Sequence, residues 1–189
     1  MIRRMPTYPI ETDRLYLRPF DEGDLDDVYE YTSRPDVTRY LPWDVRNRQQ
    51  TREVLSQKVK RTTLKELDDI FNLAVVLKET GRLIGDLTLF LRSNEYRQGE
   101  VGYVFNPDYH GRGYATEAAQ VMLQLGFETF NFHRIYARCD PRNIGSWKLM
   151  ERLGMRREAH FIHNEIFKGE WGDEFIYAIL EDEWRAKYG

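Results

Sequence analysis

The sequence predicts an α/β domain on one central mixed β-sheet, α+β in that its first strands run together before its later helices. Two observations carry this. Strand-like runs come first as a meander and then alternate with helices. The chain of 189 residues, 41% hydrophobic and 14% aromatic, suffices for one domain with a full core. No repeat, low-complexity tract or linker divides it, so residues 1–189 read as a single domain.

RLYLRPF (residues 14–20) alternates apolar and polar residues and predicts a strand. DEGDLDDVYEYTS (21–33) has acids in its first turn, where the helix dipole favours them, and predicts a helix. RPDVTRYLPWD (34–44), with two prolines, reads as a loop, and 48–67 as a polar surface helix. DIFNLAVVLK (69–78) and RLIGDLTLFLR (82–92) flank Glu79-Thr80-Gly81 and predict a hairpin. A strand at 98–105, a helix from about 113 to 130 and a strand at 133–140 follow. A helix at 143–154 closes on Gly154. Two last strands are expected at roughly 155–164 and 174–180.

Charged residues make up 31% of the chain, mixed in sign, with net charge −3. A general nucleic-acid binder would need a basic face, so none is expected. The single cysteine, Cys139, excludes an internal disulfide framework and a cysteine-rich metal site, and no metal is expected. MIRRMPTYPIETDR at the N-terminus lacks the apolar run of a secretory signal. No stretch approaches the ~18 apolar residues of a membrane span. The expectation is a soluble cytoplasmic protein without membrane contact.

The segment NPDYHGRGYATEAA (106–119) joins a predicted strand to a predicted helix through Gly111, Arg112, Gly113 and Ala115. Helix N-termini present unpaired N–H groups and partial positive charge, so a phosphate can sit there if no side chain blocks the backbone. Arg112, with Arg14 or Arg142, would add charge, and Thr116 a hydroxyl. The loop suits a diphosphate, although Gly-x-Gly before a helix also occurs as plain turn chemistry. No Gly-Lys-Ser/Thr follows, so it is not a P-loop, and Thr116 stands where a dinucleotide fingerprint needs glycine or alanine.

YHGRGYATEA resembles the coenzyme A pyrophosphate loop of the GNAT superfamily, the acetyl-CoA-dependent N-acetyltransferases. The family pattern Gln/Arg-x-x-Gly-x-Gly/Ala maps onto His110, Gly113 and Ala115, with histidine at the first position. TDRLYLRPF (12–20), GEVGYVFNP (99–107), HRIYARCDPRNIGSWKLMERLGM (133–155) and GEWGDEFIYAIL (169–180) agree in family order. The resemblance spans about residues 12–184 and is nearest to the branch of ribosomal-protein N-terminal alanine acetyltransferases. It implies a splayed sheet flanked by helices, acetyl-CoA as cosubstrate, direct transfer in a ternary complex and an amine acceptor, in a branch where a homodimer is frequent.

By that resemblance the pantetheine arm lies between the strand 99–105 and the strand after the helix, along Tyr103, Val104 and Phe105. The diphosphate lies on His110, Gly111, Arg112, Gly113, Tyr114, Ala115 and Thr116. Gly102 within the strand marks a bulge or close backbone approach, or simply packing. Asn143 touches the pantetheine arm and also reads as a helix N-cap. Ser146, three residues on, stands near the sulfur as proton donor or merely at the helix start. Where many members carry a tyrosine acid this chain has Met150, which cannot donate. Glu165 and Glu100 are rival carboxylates for the amine's proton. Tyr40, Trp43 and Asp44 are candidates for the acceptor wall. Cys139 reads as a buried strand residue and not as an acetyl carrier.

No strong base is evident, which favours an acceptor of low pKa. An α-amine titrates near 8 and a lysine near 10.4, a gap worth roughly 3 kcal/mol of deprotonation. A protein N-terminal α-amine or a small-molecule amine is therefore expected. An aminoglycoside or polyamine acceptor, or a non-catalytic acyl-CoA-binding regulatory module, are the alternatives.

Overall fold

The strand-forming runs pair into one eight-stranded sheet. In the computed structural model, which describes residues 5–189, β1 (Ile10–Glu11), β2 (Leu15–Arg18), β3 (Ile70–Leu77), β4 (Leu83–Ser93) and β5 (Gln98–Phe105) pair antiparallel in succession. β6 (Arg134–Cys139) then joins β5 in parallel. That connection needs a crossover, which α4 (Tyr114–Gln124) and a π-turn over Leu125–Thr129 supply. β8 (Glu170–Leu180) lies between β6 and the edge strand β7 (Arg156–Phe167). Residues 1–4, counted within the domain by the sequence reading, lie outside the described residues.

The remaining helices are α1 (Leu25–Thr32), α2 (Pro35–Thr38), α3 (Arg48–Lys60), α5 (Ile144–Arg152) and α6 (Glu181–Tyr188). Three readings need correction. The segment 34–44 is not all loop: Pro35 starts α2, where its missing N–H is not needed. The surface helix stops at Lys60, after which Arg61 pairs its carbonyl with Asn72 and Leu64 turns into the core. The chain does not end on a strand. Glu183 bonds the Leu180 N–H and starts α6, and buried Trp184 anchors it. No helix of the described residues is long and apolar enough to cross a membrane.

β5 and β6 pair only at Gln98–Arg134, Gly99–Ile135 and Glu100–Tyr136. A side chain at Gly99 would meet the Phe132 ring at 2.5 Å, so the junction is closed by packing. Beyond Glu100 the strands part, and β5 has no strand partner on that side. Alternation along β5 puts Val101, Tyr103 and Phe105 on one face, and Glu100, Gly102 and Val104 on the other. The first face carries the larger apolar cluster, shared with Ala118 and Met122 of α4 and Leu149 of α5. The second carries a smaller cluster, in which Ala74, Val76 and Leu83 pack on Val28, Tyr31 and Leu55 of α1 and α3.

The smaller cluster holds a buried ion pair. Lys58 Nζ of α3 lies 2.7 Å from Asp86 of β4, and Tyr31 OH donates to the other Asp86 oxygen at 2.7 Å. Burial pushes the Lys58 ammonium down, and Asp86 opposes this. Lys58→Met leaves that carboxylate without its cation and should destabilise the fold by about 3–5 kcal/mol in urea unfolding. Adding Asp86→Asn, which keeps an acceptor for Tyr31, should recover part of the loss.

Candidate active site

The loop before α4 is shaped by two left-handed glycines, Gly111 (φ +74°) and Gly113 (φ +82°). Gly113 starts the helix and brings no side chain to cap it, so the first-turn N–H groups face outward. A Cβ at Gly113 would lie 3.4 Å from Arg14 Nη2 in a backbone conformation that branched residues resist. His110 folds back and donates from Nε2 to the Phe105 carbonyl at 3.1 Å. Its ring fastens the loop to β5.

Arg14 braces the loop from β2's approach. Its Nη1 donates to the Arg112 carbonyl at 2.8 Å and its Nε to Glu117 at 2.8 Å. Thr12 donates to the same carboxylate at 2.6 Å. Burial alone would raise the Glu117 carboxyl; the bonds from Thr12 and Arg14 outweigh it and hold the group below the usual range. Arg14 is thus engaged by Glu117, and Arg142 by Asp140 at 2.6 Å. The cation that the structure adds is Arg152 of α5, whose Nε donates to Thr116 Oγ1 at 3.3 Å. Nothing in the sequence links two residues 36 positions apart.

Where β5 and β6 part, Tyr103 crosses the gap. Its hydroxyl donates to the Ser146 carbonyl at 2.9 Å and lies 3.1 Å from Ser146 Oγ. Asn143 caps α5, accepting from the Ser146 N–H at 3.3 Å. Burial raises the Tyr103 hydroxyl well above its ordinary value, so it keeps its proton at neutral pH. Burial also pushes the neighbouring Cys139 thiol up to about 12. A thiol in that state is a poor acetyl carrier. Met150 is buried in the core.

On the opposite face lies a carboxylate cluster. Glu100 accepts from Arg92 at 2.8 Å through one oxygen and from Arg138 at 3.1 Å through the other. Arg138 also donates to Glu174 Oε1 at 3.1 Å, and Asn164 donates to Glu174 Oε2 at 3.1 Å. Burial raises the Glu174 carboxyl; Arg138 opposes this, and the charges of Glu165 and Glu100 add to it. Glu165 itself stands exposed on β7. Glu174, 8% exposed, was not among the residues the sequence singled out. Its signal, an acid two positions after Gly172 at a strand entry, is too common to mark a site.

The remaining wall comes from the α2–α3 connection, through Tyr40 and Trp43, facing Phe167 of β7. Lys168, in the β7–β8 turn, ties the two sides together. Its Nζ donates to the Thr38 carbonyl at 2.8 Å and the Trp43 carbonyl at 3.3 Å, and pairs with Asp44 at 3.0 Å. All these parts open into one cleft of about 1390 Å³. Of the residues singled out from sequence, Arg14, Arg112, Arg142 and Asp44 lie outside its lining and the others line it. Arg112 contributes its carbonyl to Arg14, and the Asp44 side chain is 90% exposed and held outward by Lys168.

The cleft has the parts that binding coenzyme A asks for: an outward-facing helix start without side chains, a nearby arginine, and a strand edge left open. Residues 14–156 match the model of the acetyltransferase (GNAT) domain. A Bacillus subtilis (strain 168) protein described as the uncharacterized N-acetyltransferase YnaD is 41% identical over 176 residues, 93% of this chain and 98% of that one. A GNAT-family acetyltransferase structure from Bacillus anthracis superposes with a TM-score of 0.83 at 38% identity, covering 92% of this chain and 98% of its own. The spermidine N(1)-acetyltransferase of Escherichia coli (strain K12) is 24% identical over 174 residues, 91% of this chain and 89% of its own. Its fold, its site and these kinships together make the chain a member of the GNAT family, an N-acetyltransferase that uses acetyl-CoA.

Proposed function

We propose that this chain acetylates the primary amine of a small cationic molecule, by direct attack on acetyl-CoA in a ternary complex. The observation that carries this reading is the gap between β5 and β6, with hydroxyls on one face and carboxylates on the other. The open edge of β5 beyond Glu100 suits the pantetheine arm, which would add to it as a strand does. Glycines 111 and 113 leave room for a diphosphate at the start of α4, with Arg152 and Thr116 beside it. Bound there, acetyl-CoA supplies an activated acetyl thioester.

Charge favours a cationic acceptor. Glu100, Glu165, Asp173 and Glu174 line the acceptor end against the guanidiniums of Arg92 and Arg138. Tyr40, Trp43 and Phe167 offer surface for an apolar body, and the Lys168 bridge ties the Thr38–Asp44 segment to the β7–β8 turn. The E. coli relative named above for spermidine supports a polyamine-like acceptor. A protein N-terminal α-amine is the second reading, favoured by Ser146, Met150 and Glu165 in the order of the alanine-acetylating branch. Its amine needs less deprotonation than that of a lysine or polyamine.

Calorimetric titration with acetyl-CoA, then thiol release with spermidine, an aminoglycoside, a lysine peptide and an alanine-starting peptide, tests the reading. Saturable binding and turnover with spermidine or the aminoglycoside are expected. Turnover with the alanine peptide alone would overturn the small-acceptor assignment. Gly113→Val should weaken acetyl-CoA binding severely while the fold persists, because the valine fills the cradle and strains a left-handed position; unchanged affinity in the calorimeter would refute the loop's role. Ser146→Ala should lower kcat by ~10²–10⁴ if its hydroxyl gives the sulfur its proton, with little change in acetyl-CoA affinity. Cys139→Ala should retain near wild-type kcat and release no less thiol per turnover.

A further inference from the structure

We propose that Glu174, a residue of β8, is the group that takes the proton from the acceptor amine, with Arg138 as the residue that positions it. The inference rests on the transferase reading above and adds to it the identity of the base.

The carboxylates of the cleft are not equivalent. Glu100 has a guanidinium on each oxygen, Arg92 from β4 and Arg138 from its neighbour β6. A carboxylate so held is a counter-ion, and protonating it would break two charge-assisted bonds. Glu165 lies at the other extreme, exposed on the edge strand, where water screens it. Glu174 is nearly buried and has one guanidinium, on Oε1; its Oε2 meets only the neutral amide of Asn164. That oxygen can accept a proton without displacing a cation.

Glu174 lies on the same face as Glu100. Arg138 pairs with Ile176, two residues from Glu174, so alternation puts Arg138, Ile176 and Glu174 on one side of the sheet. Arg138 bonds both acids from β6, the strand that leaves β5 where the gap opens. The charged and titratable groups near Glu174 are Arg138 of β6, Glu100 of β5 with Arg92 of β4 and Tyr136 of β6 beside it, Glu165 of β7, and the Cys139 thiol of β6. Burial and the two acids favour its protonated form, and Arg138 alone opposes them. This poises the group as an acceptor of protons.

The ammonium gives one proton to Glu174, and the nitrogen lone pair forms the C–N bond with the thioester carbonyl carbon. The C–S bond then breaks, its electron pair leaving on sulfur. Nitrogen loses a second proton to solvent, sulfur gains one from the Ser146–Tyr103 hydroxyl pair, and solvent returns one proton to that pair. Glu174 returns the first proton to solvent, so the products are the amide, free thiol and one released proton.

The test compares wild type, Glu174→Gln, Glu165→Gln and Glu100→Gln by thiol release from acetyl-CoA, with whichever probe of spermidine, an aminoglycoside or an alanine-starting peptide the wild type turns over. Glu174→Gln should lower kcat by ~10²–10⁴ with an unchanged KM for acetyl-CoA. Wild-type kcat should fall as pH drops through the Glu174 pKa. In Glu174→Gln that limb should vanish, the rate instead climbing with pH as the amine deprotonates unaided. A structural role would leave the limb in place, and an unchanged limb or a near-normal kcat would overturn the assignment. Loss of the limb in Glu165→Gln but not in Glu174→Gln would overturn it too. If Glu174→Gln loses the acetyl-CoA-dependent rise in Tm, Glu174→Asp decides: about tenfold slower with the limb retained is expected, and full rate would refute the proposal. Wild type that binds acetyl-CoA but turns over no probe would sink the transferase reading and Glu174's role together. Turnover at a near wild-type rate in Glu174→Gln would sink Glu174's role alone.

Discussion

The parting of β5 and β6 after the Glu100–Tyr136 pair is the constraint on which the site depends. A regular parallel pair would satisfy the backbone of β5 and leave no opening. The pair is held together at one end by Phe132 pressed on Gly99, and beyond its other end Tyr103 reaches from β5 to Ser146 of α5. Backbone groups left without a strand partner are a standing demand for hydrogen bonds. An extended ligand arm carrying amides can meet it. The opening also joins the two faces of the sheet, which elsewhere are sealed by separate apolar clusters.

The loop at the start of α4 depends on residues distant in sequence. Arg14 and Thr12 converge on Glu117, while Arg14 also holds the Arg112 carbonyl. This network orders a loop whose two left-handed glycines would otherwise lose much conformational entropy on folding. None of these bonds uses a first-turn N–H group of α4. His110 performs the same service from within, by bonding β5. Its ring replaces a cation at that position with a latch, and the positive charge near the loop comes instead from Arg152.

Much of this was readable from local pattern. The strands from 69 to 105 and the helix–strand–helix succession after them follow from alternation and from glycine at the turns. What escaped has physical reasons. α2 is a single turn started by a proline, and α6 depends on a capping contact from Glu183 together with the burial of one tryptophan. Asp44 sits in a segment that does line the acceptor wall, yet Lys168, 124 residues away, turns it outward. Glu174 and Arg152 matter only through partners on other strands and helices, and no spacing rule reports such pairings. Residue type and motif located the cleft; the division of charge within it required the tertiary structure.

On the proposed reading, that division separates two proton movements that the reaction must keep apart. The amine must lose a proton while the departing sulfur gains one. Were both groups served from one side, the thiolate would compete with the base for the same proton. Here Tyr103 and Ser146 lie on the face covered by α4 and α5, with the Tyr103 hydroxyl held protonated by burial. The carboxylates lie on the other face, with Arg138 dividing its charge between Glu100 and Glu174. Glu100 is thereby fixed as a counter-ion, which keeps Arg138 in place and leaves Glu174 with a single cationic partner. The sheet itself is the partition, and the gap after Glu100, where the β5–β6 pairing ends, is the opening between its two sides.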